Sequence, residues 1–306
     1  MAGFTLSLVT CRKQIDIVSN EQFTIPMIKP LQADDALLAD IARTRNQHNT
    51  LRLWWLGQSG YLVQWQGQHL LLDPYLSDSL TKKYAATDKP HVRMTERVVA
   101  PEQLDFVDVV TSSHNHTDHL DAETLMPLLR VSPALQLVIP AANRAFVAER
   151  LQIDLALPLG VDAGTTVQVG AFRFTGVPAA HEQIEQDAAG QHKYLSYIIQ
   201  VGPFTLYHSG DTILYDGMVE RLRAWPIDLA FLPINGRAPE RRVAGNLTGE
   251  EAAQLAHAVG AKRVIPGHYE LFTFNTASPI PFVAECQRLA QPYTVLQAGE
   301  CWEIKT

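Results

Sequence analysis

The chain has 306 residues, 46% of them hydrophobic and 19% charged, which is material for one large domain or two small ones and excludes a disordered or fibrous chain. Its formal charge of -7 speaks against the basic footprint that nucleic-acid binding needs. No apolar run approaches the ~20 residues of a bilayer span, so no stable membrane insertion is expected. Three cysteines, Cys11, Cys286 and Cys301, form no even set and no C-x-x-C pair. The expectation is a reduced, cytoplasmic protein without a disulfide framework or thiolate zinc cage. The opening MAGFTLSLVTCRKQ has a short apolar run with no basic segment before it and does not read as a signal peptide.

Residues 1–50 read as an arm with one short amphipathic helix over Ala33 to Arg45. From Leu51 the runs LRLWWLG, GYLVQWQ and HLLLDPY predict consecutive antiparallel strands, with Trp54, Trp55 and Trp65 in core or sheet positions. Phe106 to Thr111 predicts a buried strand, Ala122 to Leu129 a helix, Gln136 to Ile139 a strand and Asn143 to Leu151 a helix. The second half repeats this grammar. Strands are predicted over Thr166 to Val169, Phe172 to Val177, Tyr194 to Val201 and Phe204 to Ser209, then a helix over Gly217 to Ala224 and a strand over Leu229 to Pro233. Thr248-x-x-Glu251 is a capping box opening a helix to Val259. Val264 to Pro266 predicts a strand, Pro281 to Ala290 a helix and Tyr293 to Leu296 a last strand. Both halves run from antiparallel strands into strand-helix units, and no linker separates them. Residues 51–306 therefore read as one domain with an internal pseudo-repeat, two sheets face to face with helices outside.

One segment carries chemistry. Ser112-Ser113-His114-Asn115-His116-Thr117-Asp118-His119-Leu120-Asp121 places three imidazoles and two carboxylates within eight residues, directly after a predicted buried strand. A lone histidine there would read as a solvated loop residue. Four ligand-type groups at H-x-H-x-D-H spacing read as a metal site, and the donor types suit Zn, Mn or Fe. His114 and His116 can converge on one ion, and Asp118 and His119 on a second.

The H-x-H-x-D-H spacing resembles the signature of the metallo-β-lactamase superfamily. The resemblance runs from about Leu51 to Glu303 and takes in Asp73, His181, Asp211 in Ser-Gly-Asp-Thr and His268 in Pro-Gly-His-Tyr. It implies an α/β four-layer fold, the αβ/βα sandwich, with the site on loops at one edge of the sheets. It implies His114, His116 and His181 on one ion, and Asp118, His119 and His268 on the other, with Asp211 bridging. His192 competes with His181 for its place. Asp73 is expected to orient a ligand, and His208 either to do the same or to be a buried strand histidine. His257, His48, His69 and His91 read as ordinary solvated or core residues.

WWLGQSG, YHSGDT, IPGHYELF and the segment from Leu232 to Pro266 look like the branch that contains L-ascorbate-6-phosphate lactonase. The Ser-His-Asn-His lead-in is also similar to N-acyl-phosphatidylethanolamine phospholipase D. The chemistry expected is metal-assisted hydrolysis of a lactone or ester, with a hydroxide between the ions as nucleophile and Asp118 relaying a proton. Manganese or zinc is the expected cofactor, with iron possible in principle. Rival readings are a phosphodiesterase or phospholipase-like hydrolase, a non-catalytic metal-binding protein, and a redox di-iron protein. Arg237, Arg241 and Arg242 form a basic cluster after a strand end. Asn235, Arg237 and Arg241 are therefore the expected contacts of a small anionic substrate. Self-association is left open.

Overall fold

A computed structural model describes residues 27–306. Cys11 and the opening segment lie outside these residues. Helix α1 (Asp34–Thr44) is where the helical spacing predicted it. It is less an arm than a part of the core, because Leu37 and Ile41 are buried there and Trp54 Nε1 donates to Asp40 Oδ2 at 2.9 Å.

The chain then forms β1 (Thr50–Gly57), β2 (Gly60–Trp65) and β3 (Gln68–Leu72), joined as an antiparallel meander. After α2 (Ser79–Tyr84) come β4 (Val109–Thr111), α3 (Ala122–Val131), β5 (Gln136–Pro140), α4 (Arg144–Leu151) and β6 (Leu159–Val161). From β3 onward the pairings are parallel, so each crossover needs a long connection, here mostly helical. The second sheet repeats the pattern. Strands β7 (Thr166–Val169), β8 (Phe172–Pro178), β9 (Leu195–Val201) and β10 (Phe204–His208) are antiparallel. Beyond α5 (Met218–Leu222), strand β11 (Leu229–Pro233) pairs in parallel with β10, and β12 (Val264–Gly267), which follows α6 (Gly249–Ala258), pairs in parallel with β11. Helix α7 (Ile280–Leu289) packs on α6, and β13 (Cys301–Lys305) returns to the edge of the first sheet beside β1.

The two sheets, of seven and six strands, face one another with helices outside. Strands buried on both faces explain the unbroken apolar runs in β4, β11 and the middle of β9. Aromatic pairs lock the inner faces together: Tyr61 against Phe231 at 4.4 Å and Trp65 edge-on to Phe204 at 5.6 Å. The Tyr61 hydroxyl also donates to the Pro266 carbonyl at 2.8 Å. No described helix is long and apolar enough to cross a membrane.

Five elements differ from the sequence reading. The strand predicted over Phe106 to Thr111 begins only at Val109, because the Asp108 carboxylate accepts from His69 N and Phe106 turns edge-on to the His69 ring. Tyr293 to Leu296 gives a single bridge, Val264 to Tyr293, and not a strand. The last strand is β13, where half-buried Trp302 and Ile304 alternate with exposed Glu303 and Lys305. Helix α2 and strand β6 were not anticipated, both being too short to show a period.

Candidate metal centre

The C-terminal ends of β3, β4, β8, β10 and β12 all deliver their following residues to one edge of the sandwich. β4 is followed by Ser112 and the histidine loop, β10 by Asp211, and β12 by His268. Ligands in open α/β sheets collect at such strand ends. The loop after β4 is held from several sides. The Ser113 amide donates to both Asp73 oxygens at 3.1 Å, Tyr197 Oη donates to the Ser112 carbonyl at 3.0 Å, and the amides of His119 and Leu120 fold back onto the His116 carbonyl. Asp121 then caps α3 through the Glu123 amide. Non-glycine backbone in the left-handed region is uncommon, yet Gln58, Asp73 and His268 all adopt it, and all three sit at this edge. Gly210 also has φ +56°, and a Cβ there would lie 2.5 Å from Ser113 Oγ. Only glycine lets the Asp211 loop come this close to the histidine loop.

Two groups of ligand-type side chains result. His114, His116 and His181 form the first, and Asp118, His119, Asp211 and His268 the second; within each, one ligand atom per residue lies within 4.8 Å of the others. In the first, His181 Nδ1 lies 2.8 Å from the Gly245 carbonyl and can only donate there, which turns Nε2 inward to 3.1 Å from His116 Nδ1. In the second, Asp211 Oδ1 lies 2.8 Å from His268 Nε2 and 3.1 Å from His119 Nε2. The other oxygen, Oδ2, is 3.6 Å from His181 Nε2 in the first group. Asp211 therefore spans both.

The residues fit metal ions on their own geometry. Buried His114 Nε2, His119 Nε2, His268 Nε2 and Asp211 Oδ1 have no acceptable hydrogen bond among the described residues, although they crowd together. Buried polar atoms without partners are costly, and a cation in each group would satisfy them. Donors of this type suit Zn, Mn or Fe.

Charge separates the groups further. Burial, helped by neighbouring His119 and His116, holds His114 well below the usual imidazole value. Burial and His181 bring His116 down to about 4. His119 moves the other way: burial opposes its charge, but the Asp211 and Asp118 carboxylates raise it well above 6.5. Asp211 is held well below the carboxylate range by His268 and His119, against the opposing effect of burial. Behind His119 stands Asp73, whose Oδ2 lies 2.8 Å from His119 Nδ1 and 3.3 Å from His208 Nε2. That is the carboxylate–histidine arrangement that orients a ligand ring. Burial would raise Asp73, but His208 and His119 keep it well below its ordinary value.

His192 does not compete with His181. It sits 2.9 Å from Asp162 beyond the 181–192 loop. Asn235, Arg237 and Arg241, expected to meet the substrate, do not line the cavity over the metal groups. Arg237 makes two 2.6 Å bonds to Glu251, the capping-box carboxylate of α6, and so is drawn to the helix. Arg241 donates to the Asn235 carbonyl at 2.8 Å. Asn235 itself is buried against Asn246 and Asn275.

Gln58 and His91 are among the cavity residues that the sequence reading missed. Gln58, from WWLGQSG, places its amide nitrogen 2.9 Å from Asp118 Oδ2 and 3.0 Å from His268 Nδ1. His91 stacks on Tyr84 at 4.5 Å, with Nδ1 2.8 Å from the Lys89 carbonyl. The quoted motif pointed at Gln58; nothing local marked His91.

A family model described as Beta-lactamase superfamily domain matches residues 68–269. A UPF0173 metal-dependent hydrolase of Rubrobacter xylanophilus is 27% identical over 248 residues, 78% of this chain and 89% of the relative. Igni18, a metallo hydrolase from Ignicoccus hospitalis, superposes with TM-score 0.61 at 20% identity, covering 84% of this chain and 99% of that one. An isothiocyanate hydrolase from Delia radicum gut bacteria gives 0.64 at 16% identity, covering 83% and 99%. Those structural likenesses concern the fold. The family model, covering most of the chain and all seven ligand-type residues, shows that the chain belongs to the metallo-β-lactamase superfamily.

Proposed function

We propose that the protein is a metal-dependent hydrolase that opens a lactone or cleaves an ester of a small anionic substrate. The observation that carries this reading is Asp211, which faces His119 and His268 with one oxygen and His181 with the other. One carboxylate set between two nitrogen-rich groups is the arrangement of a dinuclear site. Such ions, when bound, act as Lewis acids and make water acidic near neutral pH. The chain's own part is to hold and orient. His114, His116 and His181 would hold one ion, and Asp118, His119 and His268 the other. Asp73 fixes the His119 ring. Gln58 holds Asp118 at the cavity floor, where its carboxylate can take the proton of the attacking water and pass it to the leaving alkoxide. The relatives' name, metal-dependent hydrolase, agrees with this reading.

The test is a hydrolysis screen of lactones, phosphorylated lactones and phosphodiesters with metal-free protein reloaded with manganese, zinc or iron. Turnover of lactones or esters that needs the added metal is the expected result. Cleavage of phosphodiesters alone would replace the substrate class, and metal binding without any turnover would leave a binding protein.

A further inference from the structure

Of the basic cluster that the sequence singles out, only Arg242 reaches the cavity mouth. Above the metal groups lies a cavity of about 490 Å³, within the range of small-molecule pockets. Lys83, Lys89, Arg150 and Arg242 line it, and its only carboxylates are Asp118 and Asp211, both already in the metal groups. A chain of net charge -7 thus lines this cavity with four cations, and Asp88 at the rim is already paired with Arg242.

The four cations differ in what occupies them. Arg150 donates to the carbonyls of Asn115 and Leu120 at 2.7 and 3.2 Å and lies over the Phe146 ring, so it clamps the histidine loop. Arg242 pairs with Asp88 at the exposed rim. Lys89 reaches the Arg242 carbonyl and ties the two loops together across the opening. Lys83 has no ion pair among the described residues. Its Nζ donates to Thr117 Oγ1 at 3.4 Å, next in the chain to Asp118, and lies 5.2 Å from the centre of the Tyr84 ring. Lys82, on the same helix, is by contrast paired with Glu123 at 2.7 Å. An unpaired ammonium beside a site built for cations is repelled unless an anion lies between them.

We propose that Lys83, backed by Lys89 and Arg242, is an anion subsite, and that the substrate carries a carboxylate or phosphate remote from the bond that is cleaved. This rests on the hydrolase reading above. The stacked Tyr84 and His91 rings form the flat wall beside the subsite. A compact anion between Lys83 and Arg242 leaves the rest of the molecule over the metal groups. Ammonium and guanidinium read carboxylate and phosphate alike, so the two anions must be told apart by experiment.

The experiment uses the metal-loaded full chain and three aryl esters of similar length: a neutral butyrate, a glutarate monoester with a free carboxylate, and a phosphonopropionate. Lys83→Ala is expected to raise KM for the charged esters about tenfold or more, with kcat and the neutral ester changed by less than about twofold. Lys83→Arg should restore most of the KM, and Lys82→Ala should do nothing. The ester that suffers the larger loss identifies the anion. Equal effects on charged and neutral esters, or none on either, overturn the subsite and leave the hydrolase reading standing. A wild-type protein that cleaves no ester removes that reading and leaves the subsite to direct binding. Glutarate and inorganic phosphate titrated into the metal-free protein should then bind at least about fivefold more weakly to Lys83→Ala/Lys89→Ala. Equal binding overturns the proposal.

Discussion

The two halves of the metal centre are built from different materials. His114, His116 and His181 are three imidazoles under the cavity, with His116 partly open to it. Asp118, His119, Asp211 and His268 combine two carboxylates with two imidazoles, and Asp73 and Gln58 hold them from behind. Burial keeps His114 and His116 of the first group neutral, whereas in the second the Asp211 and Asp118 carboxylates raise His119. Without an ion, the first is held apart by little but packing, whereas the second already satisfies much of its own charge. The second group should therefore lose more when one of its charges is removed, and the first when one of its rings is.

The harshest break is Asp211→Ala. Partners that only orient ligands cost about 10–100-fold, so removing the one carboxylate that touches both groups should lower kcat/KM by more than about a hundredfold. Metal analysis should show the second ion weakened in a folded protein. Two ions retained at full activity would refute the bridging role.

Removing a ring tests the other side. His181→Ala should release the ion of the three-imidazole group while the second group keeps its own, and His192→Ala should release neither. Next comes the charge behind His119. Asp73→Asn should weaken the second group's ion by about 10–100-fold and leave the first unchanged. Equal weakening of both would mean that Asp73 supports the loop as a whole, which its bonds to Ser113 also allow.

Proton counting sharpens the same contrast without mutation. His119 is raised above its ordinary value, so it carries a proton at pH 7 in the metal-free chain and must lose it to bind an ion. Ion binding at the second group should release about one proton at pH 7, so its affinity rises with pH. His114 and His116 are depressed, His116 to about 4, and are already neutral there. They should release none. Calorimetry in buffers of different ionisation enthalpy reads both numbers, and a proton released by the first group instead would reverse the assignment. The same depression has a stability consequence. The unfolded chain protonates His116 below about pH 6.5 and the folded one only near 4, so the metal-free protein should lose stability as pH falls through that window.

The smallest effect concerns Arg237, away from both groups. Its pairing with Glu251 is partly exposed, so Arg237→Ala should cost about 0.5 kcal/mol and lower Tm by about 1–2 °C. KM should stay unchanged for every ester. A large KM change would return Arg237 to the substrate.

Much of the centre was legible because its first four ligand-type residues sit on one short loop. Periodicity cannot explain three imidazoles and two carboxylates after a buried strand, so the chemistry showed through without any tertiary information. The long strands and capped helices were legible for a related reason: burial on both faces, or the Thr248–Glu251 box, is written locally. What the chain alone could not decide is which distant groups meet. His181 and His192 look alike in sequence, and only a hydrogen bond to Gly245, 64 residues away, turns one of them inward. Arg237 looked free because Glu251 lies a helix turn beyond a loop, and charge finds its partner in space. Lys83 stood in a helix too short to show a period, far in sequence from the metal loop it overhangs. Ligand type is a property of residues and their spacing; orientation, pairing and access are properties of packing, and the fold decided those.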